Sequence, residues 1–530
     1  MTSFPKPDYF REAFTKPHTR VQLEVPVRLG DFVANDKMEL SLRSFLELVM
    51  ANNTEIALSR LVIETAQNAI TRAYAPFDPV ALASFRNQRS RTPANDVLAG
   101  ATTLSTLNQP LNLSYQQLLQ NGTNYTVSFF GTKNATNSGF QNFNPAINTN
   151  LSVNFAQPLL RNRGTYVNRL PLMIARSRLR VNEYTLRDNL LRILSEAELT
   201  YWALVEAREN LAVAESGLNL AGQSLQRSER ELELGAISEL DIFQPQAVYA
   251  AAKIQVAQAT YFLRQREDAL RRQMGADLDP DFRKMPIVLT ESVLPPTDAP
   301  TTDPEMAVEA ALALRPDLKA AIQTLDVDDL QIKTAANQLK PDLSITGSYT
   351  AQGRGGIFNQ RTNVFDQTGS ASTIVNTIPG GLGDAFDQLF GFGFPVYSFG
   401  LQLRLPIRDR AASAAMADAV VNKRRDALQV RNLTQGVRLE VLTAVNQVES
   451  SKASVELAVV ARDLAQKRLD AEQKKYELGT SQIFFVLQAQ NDLINSQSAL
   501  VRESVGYRRN QLNLLRRTGE LLEERGVIVQ

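Results

Sequence analysis

Between Leu190 and Gly235, leucine or alanine occupies every seventh position: Leu190, Ala197, Leu204, Leu211, Leu218, Leu225 and Leu232. Three places after most of these stands a second, mostly small residue: Ile193, Thr200, Ala207, Ala214, Ala221 and Ser228. A spacing of 3.5 residues, held this long without proline, specifies a helix that supercoils against neighbours. Small residues alternating with leucine let backbones approach closely, as dense packing requires. A shift of 244 positions carries Ala197, Leu204, Leu211, Leu225 and Leu232 onto Val441, Val448, Val455, Leu469 and Tyr476, and Gly235 onto Gly479. The chain therefore contains this long helix twice, in one register.

That duplication changes what length and composition imply. A chain of 530 residues would ordinarily suggest three or four domains, but heptad helices spread residues along rods and not into separate cores. The 57 basic and 56 acidic side chains leave a net charge of +1, which gives no bulk attraction to nucleic acid, and none is expected as a partner. The absence of cysteine excludes disulfides, thiolate metal sites and cysteine nucleophiles. It suits an oxidising envelope compartment, although many cytosolic chains lack cysteine too. Met1 to Arg20 carries Pro5, Pro7 and Pro17 and no run resembling a signal sequence. No window of 18 apolar residues occurs, so a transmembrane helix is not expected. The chain is either soluble or a mature chain whose membrane segment is β.

Residues 1–38 read as an irregular extension and 39–76 as a pair of helices, with Ala51-Asn52-Asn53-Thr54 as the break and Thr54 as N-cap. Strand signals fill 77–160: Phe77 to Phe85, Leu111 to Leu119 paired with Gly122 to Phe130 through a two-residue turn at Asn121-Gly122, and Asn150 to Pro158. A first long helical hairpin covers 161–276, running to about Leu234, turning at Gly235-Ala236-Ile237-Ser238 and returning to about Gly275. A proline-rich connector and helices broken at Arg315-Pro316 occupy 277–340. A second strand region, 341–407, holds alternating Leu343, Ile345, Tyr349 and Tyr397 to Ile407. The second long hairpin covers 408–520, and 521–530 is a tail.

Strands of about ten residues, apolar on one face and Ser/Thr/Asn/Gln/Arg on the other, match the period and length of transmembrane barrel strands. Any one of them alone would better suit a soluble sandwich with one face buried, but each pair flows directly into a long rod. Two strands per half make four per chain, and four cannot close; open edges are not tolerated in hydrocarbon. The expected fold class is therefore an α+β membrane protein: internally duplicated, with long coiled-coil helices forming an α-barrel and four or more antiparallel transmembrane strands per chain, closed by trimerisation. The hairpin at Asn121-Gly122 is left with three placements: extending the barrel, lying inside it, or capping it outside.

These residues resemble the TolC-like outer-membrane efflux proteins over about residues 39–520. The resemblance is carried by Ala51-Asn52-Asn53-Thr54-Glu55-Ile56, Ala313-Leu314-Arg315-Pro316-Asp317-Leu318, Lys340-Pro341-Asp342-Leu343-Ser344-Ile345 and Tyr476-Glu477-Leu478-Gly479-Thr480. It implies a homotrimer in outer-membrane lipid, with a twelve-stranded barrel continuing into a helical periplasmic tunnel. The tunnel tip would dock to a periplasmic adaptor (a membrane fusion protein) and an inner-membrane pump of RND, ABC or MFS type, and the chain would conduct passively. The docking turns would be Leu234-Gly235-Ala236 and Leu478-Gly479-Thr480. Acidic residues six positions beyond the turn glycine constrict the entrance in that family; here Asp241 stands in the first repeat but Phe485 in the second, with Gln488 further along. The resemblance thus implies a weakened acidic ring, and Asp241 is expected to accept a hydrogen bond from Tyr476. The plainer reading of Asp241 is an early-helix carboxylate favoured by the helix dipole.

The remaining features point to structure. Gly380-Gly381-Leu382-Gly383 reads as a flexible surface loop and not a nucleotide loop. Trp202 reads as core, His18 as unrelated to metal, and Arg508, Arg509, Arg516 and Arg517 as a solvated helix face. Phe390, Phe392, Phe394, Tyr397 and Phe399 fit an interfacial girdle or plain strand residues equally. No catalytic residue, cofactor or metal is expected. The competing class is a soluble periplasmic coiled-coil scaffold or adaptor.

Overall fold

The computed structural model describes residues 26–94, 101–293, 303–362 and 373–527. A 3-10 turn at Leu29–Phe32 leads through β1 (Val33–Ala34) and β2 (Lys37–Leu40) to helices α1 (Leu42–Asn52) and α2 (Thr54–Ala73). The first strand region holds β3 (Val80–Phe85), β4 (Gln88–Pro93), β5 (Thr103–Leu118), β6 (Asn124–Thr136) and β7 (Phe143–Pro158). Then come α3 (Thr165–Asn168), α4 (Leu170–Glu233), α5 (Phe243–Gln273), β8 (Ile287–Leu289), α6 (Pro304–Leu314) and α7 (Pro316–Gln338). The second half comprises β9 (Asp342–Arg361), β10 (Ile374–Ile378), α8 (Leu382–Phe390), β11 (Pro395–Arg404), α9 (Arg410–Glu477), α10 (Ile483–Thr518) and α11 (Leu521–Glu524). The repeated heptads thus produce unbroken helices of 64 and 68 residues, α4 and α9. Among the described residues, no helix is long and apolar enough to cross a membrane.

The chain divides into two compact units: Met1–Leu61 with Tyr184–Leu318 and Leu433–Gln530, and Val62–Glu183 with Lys319–Asn432. In the first, β1, β2 and β8 form a three-stranded sheet, β2 and β8 parallel with Met38 opposite Ile287 and Leu40 opposite Leu289. Met38, Leu40, Phe45, Tyr201, Leu270 and Met274 are its most deeply buried side chains. The Tyr201 hydroxyl donates to the Leu40 carbonyl at 3.1 Å, and burial raises its pKa above the ordinary phenol value. Trp202 is core as expected, 4% exposed.

Several expectations are corrected in this unit. Residues 29–40 are ordered elements and not an irregular extension, because Met38 and Leu40 alternate with Lys37 and Glu39 and find their partner in β8, some 250 residues on. Such a short alternation is invisible without its distant strand. The helix break is capped by Asn53 and not Thr54: the Asn53 Oδ1 accepts from the Glu55 N–H at 2.9 Å. The tail contributes Leu521 and Leu522 to the core. The late arginines are not a solvated face, since Arg509 pairs with Glu206 at 2.6 Å, Arg517 with Glu440 at 2.8 Å, and Arg508 lies over the Trp202 ring. The Arg315-Pro316-Asp317 break is an ion network: Arg315, only 11% exposed at its side chain, pairs with Asp317 at 2.6 Å and Glu440 at 2.7 Å.

The second unit is built on one eight-stranded antiparallel sheet. β3 and β4 lie end to end along one edge of β5, and β11 and β10 end to end along one edge of β9, so the sheet has six lanes in the order β3/β4, β5, β6, β7, β9, β11/β10. The hairpin of β5 and β6 is in the plane of the sheet, inserted between β3 and β7, which settles its placement within the chain. Its turn is wider than expected. Leu119 N–H donates to the Thr123 carbonyl at 2.8 Å, leaving Gln120, Asn121 and Gly122 as a three-residue loop with Gly122 at φ +94°.

Helix α8 occupies the stretch expected as a loop. Strand β10 precedes the glycines, and α8 packs on the sheet with Phe386 5.9 Å from Phe129. The Gly381 N–H is capped by the Asp384 carboxylate at 2.6 Å. Gly353 permits the approach: a Cβ there would stand 2.0 Å from the Ala385 carbonyl oxygen. Of the five clustered aromatics, Phe390 ends α8, Phe392 stacks on Tyr349 with centroids 6.4 Å apart, and all five are exposed.

Candidate functional site at the helical tips

The two turns that end α4 and α9 lie in the first unit and share one construction. Gly235 and Gly479 have φ of +70° and +71°. The Gly235 N–H donates to the Leu232 carbonyl at 2.9 Å and the Ala236 N–H to Glu231 at 2.8 Å; the Gly479 N–H donates to Tyr476 at 2.9 Å and the Thr480 N–H to Lys475 at 2.9 Å. Both are Schellman closures, in which a left-handed residue lets the chain satisfy the last helical carbonyls. Leu234 and Leu478 project from these turns at 83% and 79% exposure.

The residues flanking the turns differ. At the first, the Asp241 carboxylate accepts from the Ser238 N–H at 3.2 Å and the Ser238 hydroxyl accepts from the Leu240 N–H at 3.3 Å, so the Ser-Glu-Leu-Asp stretch caps its own backbone. At the second, Gln482 precedes α10, and Phe485 makes an edge contact with Phe484 at 5.4 Å. Gln488 is exposed and lines a groove of about 920 Å³ between α4, α5 and α10. That groove is surfaced by small and amide side chains such as Ala214, Ala252, Gln255, Gln258 and Asn491. Beside it, Gln490 is buried and donates to the Ser224 hydroxyl at 2.9 Å.

The expected bond from Tyr476 to Asp241 is not made within the chain. The Tyr476 hydroxyl donates to the Glu231 carboxylate, and Arg227 holds that carboxylate from its other oxygen at 3.0 Å while lying 4.8 Å over the Tyr476 ring. Arg227 also approaches Glu477 at 3.6 Å. Asp241 instead accepts from the Ser238 N–H and acts on Tyr476 through its charge. Burial, then the Glu231 hydrogen bond and charge, push the Tyr476 phenol up to about 12. Glu231 and Arg227 were missed in the sequence. The available signal was their i, i+4 spacing one turn before the Leu-Gly pair, which is common on any helix.

The fold is that of an outer-membrane channel-tunnel subunit. It superposes on a membrane protein from Pseudomonas aeruginosa with a TM-score of 0.63 at 18% identity, covering 96% of both chains. It superposes on the CmeC outer-membrane channel of Campylobacter jejuni with a TM-score of 0.61 at 17% identity, covering 93% of this chain and 87% of that one. Residues 307–520 match the family model described as outer membrane efflux protein. The chain is 20% identical over 341 residues to the probable efflux pump outer membrane protein TtgC of Pseudomonas putida, and 23% identical over 342 residues to the solvent efflux pump outer membrane protein SrpC of the same species. The matched part spans 62% of the length of these curated relatives. The chain is thus similar to outer membrane efflux proteins over residues 307–520 and shares the fold of outer-membrane channels.

Proposed function

We propose that the chain is the outer-membrane conduit of a tripartite efflux or type I secretion system, passing substrate from an inner-membrane pump and a periplasmic adaptor to the exterior without chemistry of its own. The observation that carries this reading is the six-lane sheet of the second unit, apolar on one face, polar on the other and unpaired along two edges. A sheet of that kind needs hydrocarbon outside, water inside and further copies of itself to pair its edges. Three copies supply a closed wall. A soluble scaffold would leave Tyr397, Phe399, Leu401 and Leu403, 81%, 74%, 63% and 59% exposed, facing water.

The tips would meet the adaptor through Leu234-Gly235-Ala236 and Leu478-Gly479-Thr480, where exposed leucines stand on rigid turns. Asp241, Tyr476, Phe485 and Gln488 would line the periplasmic entrance, with the Tyr476–Glu231–Arg227 contact as the clasp between α4 and α9. One such bond to a charged acceptor contributes about 1–2 kcal/mol per subunit once partial exposure is allowed for.

The test is extraction and conduction. The protein is expected in the detergent-soluble membrane fraction as a heat-resistant oligomer, with channels in a planar bilayer. Glu231→Gln and Tyr476→Phe should each raise open probability, whereas Asp241→Asn should change it less. A water-soluble monomer without detergent would overturn the conduit; unchanged gating in Glu231→Gln would overturn the clasp alone.

A further inference from the structure

The hairpin of β5 and β6 carries the two-faced pattern of the sheet across itself without a break. One row runs Ala81, Tyr115, Val127, Val153, Tyr349, Tyr397, each residue paired with the next across all six lanes. The adjoining row on the opposite face runs Leu82, Ser114, Ser128, Ser152, Thr350, Val396, and the Ser152 and Thr350 hydroxyls bond at 2.9 Å. A hairpin lying inside a lumen or capping its mouth would be wet on both sides and would have no reason to match its neighbours in register.

The height of the apolar band agrees. On β5 the apolar-side positions run from Gln117 through Tyr115, Leu113 and Leu111 to Gln109; on β6 they run from Tyr125 to Lys133. Polar or amphipathic side chains thus bound a stretch of nine residues on each strand, the span of a transmembrane barrel strand. At the lower boundary the Tyr125 hydroxyl donates to Gln117 at 2.8 Å, placing an aromatic with a polar handle where lipid meets water. Lys133 marks the upper boundary.

We propose that β5 and β6 are wall strands whose apolar face meets lipid beside the patch that α8 covers at Phe129, Thr149 and Gly353, so that three chains contributing six lanes each close an eighteen-lane barrel and not a twelve-lane one. This rests on the trimeric conduit proposed above. The perimeter grows in proportion to strand number, giving a mouth about 1.5 times as wide. Barrels of this lane number leave an open aqueous channel. The inner face between the two boundaries carries serine, threonine, asparagine and glutamine on β5, β6 and β7, with Pro110 and Phe130 as the apolar exceptions there. The barrel is therefore a wide, polar mouth for bulky hydrated cargo, with Arg354 of β9, in one row with Thr132 and Asn148, as a charged side chain on that face.

The chain has no cysteine, so single introduced thiols report unambiguously. Leu113→Cys, Val127→Cys, Ser114→Cys and Ser128→Cys, with Val153→Cys and Ser152→Cys on β7 as references, are spin-labelled in the trimer reconstituted into phosphatidylcholine vesicles. Collisional access to oxygen and to a water-soluble nickel chelate is then measured. Labels at 113 and 127 should match the lipid-facing label at 153, with oxygen access several-fold above nickel, and labels at 114 and 128 should match the wet label at 152. Nickel access at all four hairpin sites, with the references still alternating, would overturn the proposal and leave the conduit intact. Loss of alternation at 152 and 153 themselves would overturn the conduit. Electron microscopy of the same trimer should count eighteen lanes; twelve, with the hairpin outside the wall, would reject the proposal.

Discussion

At the scale of single residues, the same glycine solves the same problem twice. Gly235 and Gly479 are needed for backbone conformation alone, since a Cβ on either would meet nothing within 4 Å. Alanine at either position should cost about 1–2 kcal/mol locally, read as faster hydrogen exchange at 231–236 or 475–480 with the rest of the fold unchanged. Arg315 illustrates the opposite case, a residue defined by its partners. Arg315→Ala strands Asp317, while Glu440 keeps Arg517, and should lower stability by about 2–4 kcal/mol, measured as a shift in denaturation midpoint. Burial works against the Asp317 charge, but the Arg315 hydrogen bond and charge outweigh it and hold the carboxyl below its usual value. The network's contribution is therefore fully present above the ordinary carboxylate pKa of about 4 and is lost as pH falls through the lowered one; stability measured between pH 5 and pH 2 should drop less in Asp317→Asn than in the parent. Tyr476 has the reverse sign: its contact is present below pH about 10 and is lost as pH rises towards the value of about 12 set by burial beside Glu231.

At the scale of elements, periodicity made the helices and most strands legible. Proline and glycine punctuated them: Pro316, Gly235, Gly479 and Pro158 all stand within two residues of an observed boundary. What escaped was whatever depends on a distant partner. Tyr476 donates to Glu231 and not to Asp241, which accepts from Ser238, a choice of partner that spacing does not reveal. The short β2 needed β8, and the arginines of α10 needed Glu206 and Glu440 to become ion pairs. Helix α8 was hidden because three of its first five neighbours are glycines, which read as loop until the sheet beneath supplies packing. Gly353→Val should lift α8 from the sheet, since no rearrangement of a Cβ relieves a 2.0 Å approach to the Ala385 carbonyl. Hydrogen exchange over 382–390 should rise while that of β9 and β7 stays slow.

At the scale of the whole molecule, the alternation in β11 would, in the proposed conduit, separate lipid from water one residue at a time. Leu401→Lys places a charge on the apolar face and should cost about 2–4 kcal/mol in a bilayer, seen as loss of membrane-assembled oligomer. Gln402→Lys, on the other face, should assemble normally. The fold class was legible because duplication, heptads and alternation all pointed one way. The lane number was not, because pairing order is a property of the sheet and not of any strand in it.

The paired Schellman turns carry a last consequence. Their backbones are superimposable in design, yet one is followed by Ser-Glu-Leu-Asp and the other by Ser-Gln-Ile-Phe. A ring of three subunits would therefore offer six sockets of like shape arranged as alternating acidic and aromatic kinds. A partner gripping the shape alone binds six to the ring, whereas one reading the flanking chemistry binds three, or six in two unequal poses.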